Sequence, residues 1–214
     1  MEVKRFEFNP FGENTYIIWD TISKDAAIID PGMVELYEME QVETFVNNAK
    51  MNLKFILLTH MHIDHTFGIE MLKERFGDIP SLAHKADAHW GQSRQLQADM
   101  FHLRLKLNPL DADRYISENT ELKIGDEEIT VIHTPGHSMG GLCYYTPKSG
   151  IIFTGDTLFR GSIGRTDFPG GSHSQIIQSI RTKLLCLPAG TKVYPGHGPS
   201  TTIDTEAVSN PYIQ

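Results

Sequence analysis

Cysteine is scarce in this 214-residue chain, with only Cys143 and Cys186. Two thiols cannot build a disulfide framework, and a reducing, cytoplasmic setting follows as the expectation. Each cysteine stands in an apolar stretch and reads as a small buried residue. Long apolar runs are also missing. None approaches the ~20 residues of a membrane-spanning helix. The start, Met1-Glu2-Val3-Lys4-Arg5-Phe6, shows no basic segment leading into an apolar one, so no signal peptide is expected. Positive charge is in deficit, with 19 Lys and Arg against 27 Asp and Glu, a net charge of −8. Such a surface repels phosphate backbones and anionic lipid, which excludes nucleic acid and membrane as general partners. Low-complexity segments and solenoid repeats are absent too. With 40% hydrophobic residues the chain can form a sizeable core. One domain over 1–214 is expected, carrying a sub-domain insertion.

Periodicity gives the outline. Val3–Phe8, Thr15–Trp19 and Ala26–Ile29 read as strands, the last ending at the turn signal Asp30-Pro31-Gly32. Residues 35–50 place Leu36, Met39, Val42, Phe45 and Val46 on one helical face. Lys54–Thr59 is a short buried strand, and 66–76 fits a helix stopped by Gly77. Residues 85–107 contain good helix formers and read as a helical insertion ending before Asn108-Pro109. Strands return at 122–124 and 129–132, then at 142–145 and 151–154, each pair a hairpin. A helix is expected over 173–186 and a last strand over 191–194. Strand runs alternating with helices predict a layered α/β architecture in two similar halves.

Histidine is what this sequence has in quantity: ten of them. A metal site here would be built from imidazole and carboxylate. His60-Met61-His62-Ile63-Asp64-His65 packs four potential ligands into six residues, directly after a buried strand. Four ligands so close would crowd one ion, so two adjacent ions are the easier geometry. His137, Asp156 and His197 each follow another apolar strand and have a glycine beside them, which lets backbone approach closely. The set sorts into His60, His62 and His137 on one ion and Asp64, His65 and His197 on the other. Asp156 would bridge them. The remaining histidines, His84, His89, His102, His133 and His173, read as ordinary. His133 stands close enough to a strand end to support a ligand, and His89 and His102 fall in the insertion as solvated or lid-lining residues.

The motif His60-Met61-His62-Ile63-Asp64-His65, with His137, Asp156 and His197 in order, resembles the metallo-β-lactamase-fold hydrolases. The likeness extends to Ile29-Asp30-Pro31-Gly32. Gly155–Phe168 is similar to the glyoxalase II group, the hydroxyacylglutathione hydrolases, in particular its short bacterial members. The resemblance implies a four-layered αββα sandwich with a metal site at one edge. It implies two divalent ions, usually zinc, sometimes iron or manganese, and hydrolysis of a small acyl thioester. Asp64 would orient the attacking hydroxide and accept its proton, acting as the catalytic residue. Arg165, and with it Arg160, would hold a substrate carboxylate. Two departures stand out: Thr201–Gln214 is too short for the helical domain that supplies glutathione contacts in longer relatives, and Pro199 replaces a tyrosine. Both weaken the implication of glutathione more than that of a thioester. A persulfide dioxygenase holding one iron through His60, His137 and Asp156 is the alternative. A nucleic-acid phosphodiesterase conflicts with the −8 charge, and nothing selects the cyclic substrate of a lactonase or β-lactamase.

Overall fold

The computed structural model describes residues 1–118 and 120–213. The expected extent of 1–214 also includes Asn119 and Gln214, which lie outside the described residues. The first half opens as an antiparallel meander, β1 (Glu2–Phe8), β2 (Glu13–Trp19) and β3 (Asp25–Ile29). Helix α1 (Leu36–Asn48) then carries the chain across to β4 (Asn52–Leu57), parallel to β3. Helix α2 (Ile69–Phe76) crosses to β5 (Ser81–Ala83). Helices α3 (Ala88–Gln92) and α4 (Arg94–Met100) precede β6 (Arg114–Tyr115). The six strands form one sheet in the order β1-β2-β3-β4-β5-β6.

The second half repeats the plan. Strands β7 (Leu122–Ile124), β8 (Glu127–His133), β9 (Leu142–Thr146) and β10 (Ile151–Gly155) form a meander. A small ribbon follows, β11 (Leu158–Phe159) with β12 (Ser162–Ile163). Helix α5 (His173–Ser179), prolonged by a wide turn over Ile180–Leu184, returns the chain to β13 (Lys192–Pro195), parallel to β10. β14 (Thr201–Thr202) and α6 (Ile203–Ser209) complete it. The second sheet runs β14-β13-β10-β9-β8-β7.

Apolar burial stacks these elements into αββα layers. Met39, Val42 and Val46 of α1 and Leu72 of α2 pack on the outer face of the first sheet, against Ile17, Ile28 and Ile56. Tyr16, Ile18, Ile29, Leu57, Val131, Tyr144 and Phe153 fill the space between the sheets. Ile176, Ile180 and Leu184 cover the second sheet over Cys143, Ile152 and Val193. Strands β2 and β9 are therefore covered on both faces, which is why Tyr16–Trp19 and Leu142–Tyr145 read as apolar runs instead of alternating. Among the described residues no helix is long and apolar enough to cross a membrane.

Three expectations need correction. The insertion is helical only to Met100; residues 101–107 run without regular structure. Leu103, Leu105 and Leu107 alternate with exposed Arg104 and Lys106 there, a period of two that seats the leucines on a small cluster with Ile63 and Phe67. The helix expected from Thr66 begins at Ile69, because Ile63–His65 already forms a separate tight turn. Cys143 is buried, and burial pushes its thiol up to about 12, but Cys186 is exposed beyond the last turn after α5.

Candidate metal centre

The C-terminal ends of β4, β8, β10 and β13 all open on one edge of the sandwich, and each is followed by part of one cluster. His60 and His62 leave the end of β4, and Asp64 and His65 lie in the tight turn Ile63–His65. His137 follows β8, Asp156 follows β10 and His197 follows β13. All seven residues expected from the sequence meet here. His137 Nε2 lies 3.2 Å from His60 Nε2 and 2.9 Å from His62 Nδ1. His197 Nε2 is 3.3 Å from Asp64 Oδ2, and His65 Nε2 is 3.6 Å from the same oxygen. Asp156 stands between the two groups. Its Oδ2 is 3.6 Å from His137 Nε2, and its Oδ1 is 3.5 Å from His65 Nε2 and 3.6 Å from His197 Nε2.

Hydrogen bonding behind the rings fixes their tautomers. His137 Nδ1 faces the carbonyl of Arg165 at 2.8 Å, and His197 Nδ1 faces that of Phe11 at 3.2 Å. A carbonyl only accepts, so both nitrogens carry the proton and both Nε2 atoms present lone pairs inward. His65 Nδ1 donates to Asp30 Oδ2 at 3.0 Å. The Thr59 hydroxyl donates to the same carboxylate at 2.6 Å and so accepts from His60 Nδ1 at 3.1 Å. The bare Nε2 atoms of His60 and His137 thus face each other at 3.2 Å. His65 Nε2 and Asp156 Oδ1, 3.5 Å apart, are buried without a hydrogen-bond partner. Buried acceptors turned on one another are unstable unless a cation lies between them. Tetrahedral ligands at 2.0–2.1 Å from zinc stand about 3.3 Å apart, close to the spacing among the three imidazoles. The donor set fits two divalent ions.

The two groups differ in charge. Burial, reinforced by the neighbouring imidazoles, pushes His60 well below the ordinary histidine range. Burial and then His137 do the same to His62. In the other group burial opposes charge as well, but the carboxylates prevail. Asp64, Asp30 and Asp156 raise His65 well above its ordinary value, and Asp156 and Asp64 raise His197. Burial would raise Asp64; His65 and His197 outweigh it and hold the carboxyl low.

Several supporting residues carried no motif. Asp87 accepts from Ser138 Oγ at 2.7 Å, from Gly140 N at 2.6 Å and from the amide of Met61. It thereby joins the loop of His60 and His62 to the loop of His137. Gln97 accepts from Ile63 N at 3.0 Å, and Arg94, fully buried, donates to Thr66 O at 3.1 Å and to Glu70. On the other side Asn9 Nδ2 donates to Asp64 O at 3.2 Å. Asn14 Nδ2 donates to Pro195 O and Gly198 O at 3.0 and 2.8 Å, straddling His197. Gly196 is there for space, since a Cβ would fall 2.4 Å from Asp156 Oδ1. Gly198 has open room but a φ of +75°. His133 donates from Nε2 to Met139 O, two residues past His137, and stacks on His84 outside the cluster. His89 leans on Trp90.

A cleft of about 200 Å³ opens onto the cluster, walled by Phe11, Ile63, Trp90, Met100, Phe101 and Phe168. Arg165 reaches its edge, with its guanidinium stacked 4.0 Å over the Phe168 ring and paired through two contacts of 2.7 Å to Asp167. The structure does not bring Arg160 to the cluster. That residue occupies the exposed tip of the β11–β12 ribbon and lines a separate depression with Lys192 and Thr201. The reversal of the ribbon carries it away from the cleft.

Comparison with known proteins places the geometry in context. Residues 8–197 match the Metallo-beta-lactamase superfamily. Hydroxyacylglutathione hydrolase GloC of Haemophilus influenzae is 37% identical over 214 residues, covering 100% of this chain and 98% of that protein. Among solved structures, the BLEG-1 B3 metallo-beta-lactamase superposes with a TM-score of 0.87 at 36% identity, covering 100% of both chains. TTHA1623 in a di-iron-bound form superposes with a TM-score of 0.86 at 35% identity, covering 98% of this chain and 99% of that one.

Proposed function

For a chain that belongs to the Metallo-beta-lactamase superfamily, we propose the activity of a dinuclear metal-dependent hydrolase acting on small acyl thioesters. The observation that carries this reading is a pair of inward lone pairs, His60 Nε2 facing His137 Nε2 at 3.2 Å, beside the buried and unpartnered His65 Nε2 and Asp156 Oδ1. Likeness to a hydroxyacylglutathione hydrolase supports the thioester, and likeness to a di-iron protein supports two ions. Zinc suits the imidazole-rich donor set, with iron or manganese as the other candidates. A cytoplasmic location accords with the few, unpaired cysteines.

His60, His62 and His137 would hold one ion and Asp64, His65 and His197 the other, with one oxygen of Asp156 turned to each. Divalent ions bound there lower the pKa of water towards ~7 and polarise a carbonyl oxygen. Asp64, held as the carboxylate by His65 and His197, orients the attacking water and takes up its proton. Trp90 and Phe168, packed edge-on to His62, exclude bulk water from the carbonyl. A thiolate leaves readily, so no strong general acid is needed.

The test is metal analysis coupled to a thiol-release assay. The expected outcome is two equivalents of metal per chain, with activity lost on chelation and restored on adding metal back. Full activity in a folded His62→Ala/Asp156→Ala variant overturns the reading.

A further inference from the structure

The cleft beside the cluster has a chemical character that neither the motif nor the family dictates. Its walls away from the ligands are apolar: Phe11, Ile63, Trp90, Met100, Phe101 and Phe168, with Gln97 and Arg165 as the polar exceptions. Gln97 is committed on both ends, its oxygen to Ile63 N and its nitrogen to Trp90 O at 2.8 Å. Arg165 is committed as well. Asp167 takes both its Nε and its Nη2, and the guanidinium lies flat on the Phe168 ring. Asp167 already neutralises this cation, so a substrate carboxylate reaching the remaining guanidinium protons meets a paired charge and not a bare one.

Aromatic edges define the interior. Trp90 and Phe168 both stand edge-on to His62, at ring separations of 4.5 and 5.5 Å, and Phe101 meets Phe11 edge-on at 5.1 Å. Such faces bind apolar groups through burial and ring contact. Size narrows the choice. The cleft of about 200 Å³ also spans the face of His62, Asp64, His137, Asp156 and His197, so what remains beside the reacting carbonyl takes at most one ring or a chain of similar bulk. The smaller side of a carrier thioester is its acyl group, and the larger thiol side then extends past the mouth. There Met100 and Leu96, one helical turn apart on α4, are 54% and 65% exposed.

We propose that this site is specific for thioesters of an apolar, ring-sized acyl group, such as an arylacetyl or medium-chain acyl, and discriminates against acyl groups that bear a carboxylate or a hydroxyl. The proposal rests on the thioester hydrolase reading and selects among its substrates. Phe168, Phe101 and Trp90 are the specificity-determining residues, and Asp167 offsets the pull of Arg165 on anions.

The experiment holds the thiol constant. N-acetylcysteamine thioesters of acetyl, D-lactoyl, succinyl, hexanoyl and phenylacetyl groups are assayed with metal-loaded protein. The expected order places phenylacetyl and hexanoyl at least about tenfold above acetyl in kcat/KM, with D-lactoyl and succinyl at or below acetyl. Phe101→Ala and Phe168→Ala lower the phenylacetyl value about tenfold while moving acetyl much less. Phenylacetate inhibits at lower concentration than lactate. A flat profile, or a preference for succinyl or lactoyl, overturns the proposal and leaves thioester hydrolysis standing. Cleavage of none of the five, in protein with both metal equivalents in place, overturns the thioester reading and this proposal with it.

Discussion

The two halves of the metal cluster are held by different parts of the chain. His60, His62 and His137 are steadied from the insertion: Asp87 ties Met61 to Ser138 and Gly140, and Gln97 takes the amide of Ile63. Asp64, His65 and His197 are steadied from the first three strands, by Asn9, Phe11, Asn14 and Asp30. The first group is all imidazole, and the second mixes imidazole with carboxylate. Asp156 is the carboxylate that faces both, and the His60 and His65 rings meet beside it at 4.1 Å. The two groups thus have largely separate supports that meet behind the cluster at Asp30, which takes His65 Nδ1 directly and His60 Nδ1 through the Thr59 hydroxyl. The insertion, whose Trp90 also walls the cleft, serves as a fixed brace more than as a lid.

That picture can be broken at the carboxylate between the groups first. Asp156→Asn should reduce kcat/KM about a thousandfold or more, because both groups lose their common carboxylate. Metal titration should show both equivalents weakened together. Next, Asp87→Ala should weaken one equivalent about 10- to 100-fold in a chelator competition, and Asn14→Ala should weaken the other by a similar amount. Equal loss of both equivalents in either variant would merge the two supports into one. Arg94→Met probes the brace without touching a ligand. Its guanidinium is fully buried, but Glu70 is half-exposed, so the expected loss is about 2 kcal/mol of unfolding free energy by urea titration, below the range for a wholly buried pair.

The smallest effect is expected at the far end of the insertion. Asp113 binds Lys73 on α2 and Ser81 on β5. Partial burial would raise its carboxyl, but Lys73 and Ser81 outweigh that and hold it at about 2, below the ordinary 3.8. Its contribution is present above pH ~4 and lost as pH falls towards 2, since the unfolded chain takes up the proton first. With the side chain 42% exposed, solvent screening limits the contribution to a few tenths of a kcal/mol. Asp113→Asn should flatten acid denaturation over that window and leave stability at pH 7 nearly unchanged.

The strands leading to the cluster are legible in two ways, β10 as a continuous apolar run and β4, β8 and β13 by alternation, and the cluster residues sit past their ends, where no packing role competes for a histidine. All seven side chains converge as their spacing implied. The short strands β5, β6, β11, β12 and β14 were not legible, because two or three residues carry no period. Leu103–Leu107 was misread although its alternation was visible, since neighbouring helix formers dominated the window. Asp87 left no signal, because its partners lie 51 and 53 residues away. Asn14 gives a faint one, standing with Glu13 and Thr15 as the polar head of a strand that is apolar from Tyr16. Arg160, expected beside Arg165, is turned from the cleft by the reversal of the β11–β12 ribbon, which two-residue strands do not announce in sequence.

The run Pro195-Gly196-His197-Gly198 holds two glycines for unlike reasons. A saturation library should tell them apart. Position 198 should admit asparagine and aspartate, which tolerate a left-handed backbone. Position 196 should admit nothing larger than hydrogen, because the intruding carbon would land on the carboxylate that both halves share. Anyone redesigning this rim for new substrates therefore has latitude on one side of His197 and none on the other.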